Sequence, residues 1–510
     1  MNNLSQKLET ISLSKLQFQI VVLSLMIAAQ VQYIQHGWIN PDSVLYLEAA
    51  KLFAKGEWQA GFSVFPWPLY SLCIVATHKF TFLSIHHAAQ LLNVVFFGIA
   101  TASFLKIIQL AGGKQRQIIA GALIWLSAQY MIGGVLEMLM RDEGFWAFYL
   151  TSLVFFIRFY KTDHFKDALL WQLCIMLATL FRIEAILFLL LLPLILLLKK
   201  QGTFTARLVN LFKCNVIHFA LAFIVIMVFV TNKQLSTAML GRLNEVFTSN
   251  IIHEFTRSLV EKSHIMSTLV LGKYLEEFAM QGLLFTFIYI IFVKAIAATG
   301  IVNIGLAGFA IKHQKQLIET DAYRVLSTAA IIALINMGLI ITKVFVLSGR
   351  YVLALSFVLM VFATFYLAEL FKYLTQNNKQ KKWLVIGLII IMLLGTIKNL
   401  LPKQEGYNYQ QDAIAWLSEQ NKSNKPVFYE DSRMRYFAGA PYIGTGIYNW
   451  ELLATEDDSS STNNYEYLVI NHSTQHPEKE KMIAEKLSEY HEVNRFSSAN
   501  SKKSIVIYQK

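Results

Sequence analysis

The chain has 510 residues, of which 55% are hydrophobic and only 15% are charged, and its mean hydropathy is +0.45. Soluble domains usually carry about 25% charged residues, so this composition excludes an ordinary soluble protein. The net charge of +12 does not indicate nucleic-acid binding. Much of the excess Lys and Arg lies in short clusters between apolar runs, as the positive-inside rule requires, and no basic stripe is interleaved with aromatic residues.

The N-terminal segment carries Lys7 and Lys15 before an apolar run from Phe18 to about Val31. This pattern also fits a secretory signal, with Ala28-Ala29 as a weak cleavage site. The many apolar runs that follow favour an uncleaved first helix, which leaves the cytoplasm.

Long apolar runs separated by short polar joints predict about eleven transmembrane helices, since about 20 apolar residues span a bilayer core. The segment from Pro68 to Ile85 is apolar but interrupted by polar residues, which favours a helix lying on the outer membrane surface. The predicted spans are Phe18–Tyr33, Ala88–Ile108, Ile118–Val135, Phe145–Phe159, Ala168–Phe181, Ala185–Leu198, Ile217–Val230, Gly282–Ile311, Leu326–Val346, Tyr351–Leu370 and Trp383–Leu400.

The polar joints predict the orientation and the domains. Most Lys/Arg clusters fall on one side when the spans are followed in order, so the N-terminus is expected in the cytoplasm and the tail outside it. Residues 1–401 are therefore predicted to form an α-helical polytopic membrane domain, whose first outer loop covers residues 36–86. Within that loop, Asn40-Pro41 is typical of a helix start and Gly56 of a helix end.

The tail, residues 402–510, lacks cysteine and long apolar runs and has the pattern of a small α/β domain. A polar low-complexity loop is expected at Asp457–Asn464. The predicted tail elements are helices at Tyr409–Glu419 and Glu478–Tyr490 and strands at Pro426–Tyr429, Tyr465–Ile470 and Ser504–Tyr508.

Charged and polar residues at the outer ends of the spans are functional candidates, because charges near a membrane are costly unless paired or hydrated. Arginine binds phosphate with its guanidinium group, and a carboxylate accepts a proton from an attacking hydroxyl. Together they suit a reaction on an anionic lipid headgroup. The candidates are His36, Asp42, Tyr46, Arg141, Asp142, Glu143, Arg182, Glu184, Lys343, Arg350 and Tyr351.

Each candidate also has a structural interpretation. Asp42 in the first turn of a helix is favoured by the helix dipole alone. Arg182 and Glu184 fit a structural ion pair, although residues two apart do not share a helix face. Lys343 and Arg350 fit side chains that extend to the membrane interface. The joint from Arg141 to Glu143 fits local surface pairs, and the histidines near the first loop show no zinc-ligand spacing.

Several of these segments resemble the GT-C superfamily of polytopic glycosyltransferases, which includes protein O-mannosyltransferases, the lipid A aminoarabinose transferase and the RgtA/B/C/D-like transferases. The stretch Asn40–Ala50 is similar to the family's first-loop acid followed by an aromatic and small residues. Phe65–Tyr70 is similar to the proline-rich segment before its outer-surface helix. Arg141–Gly144 resembles its second-loop Arg/acid motif.

Two later motifs extend the resemblance over roughly residues 18–400. Phe181–Ala185 is similar to the family's Arg-Pro-Glu-Gly element, with Ile183 for Pro and Ala185 for Gly, and Gly349–Tyr351 resembles the Arg-Tyr that opens a late span. Protein mannosyltransferases have an adjacent Asp-Glu pair in the first loop. Here Asp42 is followed by Ser43, which argues against a protein acceptor.

The resemblance implies an inverting transfer of a sugar from a polyprenyl-phosphate donor to a glycolipid, polysaccharide or protein acceptor at the outer face of the membrane. By that analogy Asp42 is the general base, and Arg182, Arg350 and Lys343 neutralise the leaving phosphate. Asp142 or Glu143 positions a sugar hydroxyl or the acceptor, or assists a divalent ion, whose use varies within the superfamily. The expected location is a bacterial inner membrane, with the tail in the periplasm or outside the cell.

Three other functions fit parts of the pattern. A transporter or flippase of lipid-linked sugars favours charges near the bilayer midplane and broken helices in matching halves, whereas the charges here lie at one boundary and no halves repeat. An O-antigen ligase or polymerase typically has its main outer loop between late spans. A scaffold that binds through the tail is the last alternative.

Overall fold

The structure is a computed structural model that describes residues 12–34, 39–231, 251–376, 378–401, 408–442, 465–498 and 501–510. The chain divides into two compact units. The helical unit comprises Met1–Ala29, Leu91–Leu136 and Arg141–Leu400, and the loop–tail unit comprises Gln30–Gln90, Glu137–Met140 and Leu401–Lys510. Residues of the first outer loop thus cluster with residues of the tail.

Most of the predicted spans form helices near their expected bounds, because their apolar runs are long and free of proline. Shorter 3₁₀ and π turns join several of them, including Leu192–Leu198 and Gly349–Val352. The α-helices up to residue 400 are α1 Leu13–Ile34, α2 Pro41–Lys55, α3 Trp58–Val64, α4 Leu69–Thr81, α5 Ile85–Leu110, α6 Gln115–Leu126, α7 Asp142–Thr162, α8 Phe165–Phe181, α9 Ile186–Leu191, α10 Phe204–Lys213, α11 Val216–Thr231, α12 Ile251–Ile265, α13 Ala279–Thr299, α14 Ile301–Lys312, α15 Gln314–Leu317, α16 Thr320–Val344, α17 Leu353–Leu370 and α18 Lys379–Leu400.

The chain is a multi-pass membrane protein, but the expected count of about eleven spans is not confirmed. Among the described residues, seven helices are long and apolar enough to cross a membrane, or eight if the bent pair Phe204–Lys213 and Val216–Ile224 is one span. Some predicted spans form helices that are too short for this count: α8 has 17 residues, and Ile183–Leu198 is a shorter apolar helix.

The overlong run Gly282–Ile311 is not one helix. It is split at Gly300, whose φ of +86° ends α13 and precedes α14. A left-handed φ is readily adopted by glycine and seldom by other residues. The single crossing predicted for this run is therefore corrected to a spanning helix, Glu276–Thr299, followed by the shorter apolar helix Ile301–Lys312.

Helix α17 lies at the centre of the helical unit. In the 18-residue apolar stretch that could cross the membrane here, 83% of the residues are buried. Trp125 on α6 is fully buried and packs between Phe104, at a ring-centroid distance of 4.5 Å, and Phe357 on α17, at 5.5 Å. The Trp125 indole N–H donates to the Thr101 hydroxyl at 2.9 Å. Aromatic packing with a satisfied indole N–H gives this unit a rigid core.

The first-loop helix α2 begins and ends as its sequence predicts. Asn40 accepts a hydrogen bond from the Asp42 N–H at 2.9 Å, and Gly56 adopts a φ of +84°. The helix predicted at Pro68–Ile85 is observed as α4, which ends at Phe82 in a left-handed conformation before α5 begins; its position on the outer membrane surface stays a prediction. Helix α4 is not among the described helices that are long enough to span the membrane.

The tail contains four strands, β1 Val427–Tyr429, β2 Tyr467–Ser473, β3 His491–Ser497 and β4 Lys503–Gln509. They form one sheet with the strand order β1-β2-β4-β3. Strand β1 pairs with β2 in parallel, and the other neighbours are antiparallel. Apolar side chains form a core cluster that includes Leu468, Ile470 and Val506 and a second that includes Val469, Ile505 and Ile507. The tail helices are α19 Asn408–Gln420, α20 Ser432–Phe437 and α21 Glu478–Lys486.

Two tail elements differ from the sequence prediction. The predicted helix Glu478–Tyr490 stops at Lys486, and the chain continues into strand β3, whose side chains are exposed or half-buried. A polar edge strand lacks the apolar alternation that marks a strand in sequence. Helix α20 was not predicted either; Asp431 caps it by accepting from the Arg433 N–H at 2.8 Å. The predicted loop Asp457–Asn464 lies outside the described residues.

Within the loop–tail unit, α20 is joined to α2 by a buried ion pair. Arg435 lies 3.3 Å from a Glu48 carboxylate oxygen, and their side chains are 2% and 9% exposed. Arg435 also donates to the Ala440 carbonyl at 3.0 Å. Nearby, the Lys51 ammonium lies 4.2 Å from the centre of the Tyr436 ring. These contacts join the helix that carries Asp42 to the tail.

Candidate functional site

The candidate site in the helical unit is built around the break between α8 and the turn that follows it. Helix α8 ends at Phe181, and Arg182 adopts an extended conformation, with φ −143° and ψ 119°, before the 3₁₀ turn Ile183–Ala185. The break removes Arg182 from the regular helical ladder. Its side chain is buried, with 6% exposure.

Gly144, in the first turn of α7, allows this break to lie against the N-terminus of that helix. A Cβ atom at Gly144 would lie 2.3 Å from the Phe181 ring, so a larger residue here would require the ring to move. The close packing places Asp142, two residues before Gly144, beside Arg182. This gives a physical role to the glycine of the Arg141–Gly144 motif.

Arg182 is held by two carboxylates. One guanidinium N–H donates to Asp142, whose side chain is 1% exposed. Two others reach Glu184, Nε to Oε2 at 3.3 Å and Nη2 to Oε1 at 3.4 Å. The Glu184 backbone carbonyl accepts from the Asn336 amide at 3.4 Å. Arg182 and Glu184 would not lie on the same face of a helix. They pair here because the backbone of Arg182 is extended.

Arg350 and Tyr351 join the same cluster from the turn before α17. Arg350 Nη1 lies 3.7 Å from Asp142 Oδ2, and the Arg350 side chain is 23% exposed. At that distance the two charges attract without a hydrogen bond. The Tyr351 ring centre lies 4.5 Å from the Arg182 guanidinium carbon, in cation–π contact. Two guanidinium groups thus converge on one buried carboxylate, and we call Asp142, Arg182, Glu184, Arg350 and Tyr351 the arginine cluster.

Tyr130 is part of this site and was missed by the sequence analysis. Its hydroxyl is hydrogen-bonded to the Ser348 side chain, and it interacts electrostatically with Arg350, Asp142 and Arg182. A Cβ atom at Gly349 would lie 2.4 Å from the Tyr130 ring, so the glycine of the Gly349–Tyr351 motif makes room for the tyrosine. Tyr130 lies within the predicted span Ile118–Val135 and belongs to no motif, and only the folded chain brings it to Arg350.

Glu143 and Arg141 lie beside the cluster. Glu143 is fully buried, and neither of its carboxylate oxygens has a hydrogen-bond partner among the described residues. Arg141, at the N-cap position of α7, lies close enough to Glu184 to interact electrostatically with it. The structure therefore brings together Arg141, Asp142, Glu143, Arg182, Glu184, Arg350 and Tyr351.

Asp42 belongs to the loop–tail unit, where it is the second residue of α2 and half-buried. Asn40 supplies the helix cap, so the Asp42 carboxylate is not the capping group. The Ser43 hydroxyl donates to the Met138 carbonyl at 2.5 Å, and the Asn40 N–H donates to the same carbonyl at 3.3 Å. Residues 137–140 therefore hold the start of this helix in place.

The remaining candidates are placed differently. Tyr46, on α2, is buried among aromatic side chains. Its ring centre lies 4.7 Å from that of Phe65 and 5.5 Å from that of Tyr70. Lys343 is exposed in the last turn of α16. His36 lies outside the described residues.

A divalent ion was left open by the sequence analysis. Within the described ranges, no group of three or more His, Cys, Asp or Glu side chains is arranged to hold a metal ion. The Asp142 carboxylate lies at the centre of the cluster and faces two guanidinium groups. Two positive groups side by side are typical of a site that binds an anion. The use of a metal stays untested.

The fold is similar to that of two solved structures. ArnT from Cupriavidus metallidurans, in the apo state, aligns over 96% of this chain and 97% of its own, with 14% identity and a TM-score of 0.52. The oligosaccharyltransferase of Archaeoglobus fulgidus aligns over 95% of this chain and 72% of its own, with 10% identity and a TM-score of 0.50. No family model and no curated protein matches the chain in sequence.

The chain therefore shares the fold of these two solved structures, which is the kind of fold that the resemblance of its motifs implies. At identities of 14% and 10% the likeness concerns the fold, and function has to be argued from the residues of the site.

Proposed function

We propose that this protein is an inverting glycosyltransferase that moves a sugar from a polyprenyl-phosphate donor to a glycolipid, polysaccharide or protein acceptor at the outer face of the membrane. The observation that carries the proposal is the convergence of Arg182 and Arg350 on Asp142. Two arginines placed beside a buried acid suit a phosphate group that gains charge during a reaction.

The arginine cluster prepares the site for an anion before the anion arrives. Asp142 holds both guanidinium groups in place, so little side-chain freedom remains to be lost when a phosphate binds. A guanidinium has five N–H donors, and the Arg350 side chain is 23% exposed, with Nη1 3.7 Å from Asp142 Oδ2. A phosphate oxygen at Arg350 would form a closer, charge-assisted hydrogen bond.

In the proposed reaction, an acceptor hydroxyl oxygen attacks the anomeric carbon of the donor sugar, and the bond from that carbon to the phosphate oxygen breaks. The transition state has oxocarbenium character, as in other glycosyl chemistry. Asp42 takes the hydroxyl proton as general base. The polyprenyl phosphate leaves with its added negative charge, which Arg182 and Arg350 stabilise and to which Lys343 contributes.

The other candidates have supporting roles in this proposal. Glu143, buried without a hydrogen-bond partner among the described residues, positions a sugar hydroxyl. Tyr351 keeps the Arg182 guanidinium in its plane through the cation–π contact. Glu184 fixes the same guanidinium from its other side.

Mass spectrometry of surface glycans and lipid-linked sugars, from cells with and without the gene, tests the proposal. We expect the deletion to remove one sugar residue from a glycan or glycolipid and to increase a polyprenyl-phosphate sugar on the outer leaflet. Unchanged glycans would contradict a transferase. Accumulation of the lipid-linked sugar on the cytoplasmic leaflet alone would support a flippase instead.

A further inference from the structure

An apolar groove of about 470 Å³ lies in the helical unit between α14, α17 and α18. It is lined by Gly305, Leu306, Tyr366, Tyr373, Lys381 and Val385, among others, and we call it the lysine groove. Tyr366 lies 13 positions beyond Leu353, the first residue of α17, while Arg350 precedes that helix. At 1.5 Å per residue, the groove is therefore roughly 25 Å along the helix from Arg350, well separated from the arginine cluster.

The walls of the groove are apolar. Leu306 and Val385 are buried at its base, and Phe309 stacks on Tyr366 with ring centres 5.1 Å apart. In the 18-residue apolar stretch of α18 that could cross the membrane, only 22% of the residues are buried. Most of its apolar side chains therefore face the surroundings of the protein. In a bilayer, those surroundings are acyl chains.

The mouth of the groove is positive. The Lys381 ammonium lies 4.7 Å from the centre of the Tyr373 ring and 3.5 Å from its hydroxyl oxygen. Lys372 lies over the same ring at 5.3 Å but is paired with Glu369. None of the residues that line the groove is acidic. Lys379 and Lys382, in the same first turn as Lys381, add to the positive charge.

We propose that the lysine groove binds one anionic phospholipid, with an acyl chain against Leu306 and Val385 and the phosphate at Lys381. A basic cluster beside an apolar inter-helix groove is the arrangement that recognises anionic lipid headgroups. Lys381 holds its ammonium at the groove mouth, as lysines at a membrane interface do. The expected orientation places this end of the helices in the cytoplasmic leaflet, and the proposal does not depend on the proposed glycosyl transfer.

Two variants of the full-length protein, each with a matched control, test whether the lipid binds in the groove or elsewhere on the protein. Gly305 lines the groove, and Gly308 lies on the same helix outside it; a Cβ atom at either would have no neighbour within 4 Å. The Cβ of Gly305→Leu therefore has room, and we expect the rest of the side chain to occupy the groove; Gly308→Leu is its control. Lys381→Gln removes the charge at the mouth, and Lys398→Gln, in the last turn of the same helix, is its control.

Native mass spectrometry of the detergent-purified protein, titrated with phosphatidylglycerol or phosphatidylcholine, measures the binding. We expect one phosphatidylglycerol to be retained in preference to phosphatidylcholine. Lys381→Gln should weaken it about fivefold, since one lysine near an anionic lipid contributes about that factor. Gly305→Leu should abolish retention of this lipid, and both controls should bind as the wild type does.

Three results would overturn the proposal. Equal retention of the two lipids would show a general apolar surface, and wild-type binding by both Gly305→Leu and Lys381→Gln would place the lipid elsewhere. Displacement of phosphatidylglycerol by equimolar polyprenyl phosphate in the wild type, together with loss of polyprenyl-phosphate binding in Gly305→Leu, would assign the groove to the isoprenoid lipid. Inorganic phosphate should not compete, because it lacks the chain that occupies the groove.

Discussion

Each compact unit contains a buried arginine–carboxylate contact, and the two are built differently. In the loop–tail unit, Arg435 binds one carboxylate, Glu48, and one backbone carbonyl, and its guanidinium faces the Tyr442 ring at 5.2 Å. In the helical unit, Arg182 and Arg350 share one carboxylate, and Arg350 is partly exposed.

The difference separates two uses of buried charge. An enclosed pair such as Arg435 and Glu48 fixes one arrangement of two helices, and removing one partner leaves a buried charge without compensation. A cluster in which two guanidinium groups share one carboxylate, as Arg182 and Arg350 share Asp142, can exchange part of its pairing for an incoming ligand. We therefore expect substitutions in the loop–tail pair to lower stability, and substitutions at Arg350 to lower activity.

The largest expected effect tests whether the loop–tail unit also takes part in the chemistry. Asp42→Asn should reduce sugar transfer by about 10²- to 10⁴-fold, the range typical of losing a general base, while the protein stays folded and inserted. Complementation of a deletion strain, read by glycan mass spectrometry, measures the effect. The exposed Glu57, just beyond α2, gives the control variant Glu57→Gln. Wild-type activity of Asp42→Asn would remove Asp42 from the mechanism.

The next effect concerns the enclosed pair. Arg435→Met should lower the free energy of unfolding by up to about 3 kcal/mol, because the buried Glu48 then keeps only the partly exposed Lys51, at 3.4 Å, as a cationic partner. The double variant Glu48→Leu/Arg435→Met should recover most of that loss. Hydrogen exchange of peptides covering α2 and α20 measures the change. Arg495→Met, which removes surface pairs with Glu480 and Glu492, should cost under about 1 kcal/mol. If the losses of stability in the two single variants simply added up in the double variant, Glu48 and Arg435 would not be coupled, and the prediction would be contradicted.

A third prediction addresses the open cluster. Arg350→Ala should raise the KM for the lipid-phosphate donor by about 10- to 100-fold, the loss expected for a charge-assisted hydrogen bond, with little change for the acceptor or for thermal stability. Steady-state kinetics with each substrate varied in turn measures this. Arg324→Ala, at the ion pair with Asp321 on α16, is the control. Equal losses for donor and acceptor, or a marked loss of stability, would indicate a structural arginine.

A smaller effect is expected from pH in the tail. Burial lowers the pKa of His472 from 6.5 to about 4, although Glu480, 3.3 Å away, acts in the opposite direction. The unfolded chain takes up a proton near pH 6.5 and the folded tail only near pH 4. Stability is therefore complete above about pH 6.5 and is lost as the pH falls towards 4, by up to about 2 kcal/mol.

Hydrogen exchange of strands β2 and β4 between pH 7 and pH 4.5, corrected for intrinsic exchange rates, measures this loss. His472→Gln cannot be protonated and should show a flatter profile. If the wild-type profile were as flat as that of the variant, His472 would take up its proton at the same pH in the folded tail as in the unfolded chain, which would contradict the prediction.

The local elements of this protein were largely predictable. Apolar runs placed most of the helices, and Asn40-Pro41 with Gly56 marked the limits of α2, because capping and helix periodicity are properties of neighbouring residues. The break at Gly300 was missed since the apolar pattern continues across it. Strand β3 was missed because its pairing with β4 stabilises a sequence without apolar alternation.

The site was predictable only as separate segments. The motifs identified Asp142, Arg182 and Arg350, but no pattern pairs Arg182 with Asp142, 40 residues away, or brings Tyr130 to Ser348. The roles of Gly144 and Gly349 in admitting the Phe181 and Tyr130 rings depend on neighbours that are distant in sequence.

The amino-acid sequence by itself determined the membrane class, the positions of most helices and the residue types available at their ends, because hydrophobicity, periodicity and capping act over a few residues. Tertiary structure decided which charges meet: Arg182 and Arg350 at Asp142, and Arg435 at Glu48, 387 positions apart. These pairings depend on helix packing around glycines and aromatic rings, and packing is a property of the whole folded unit.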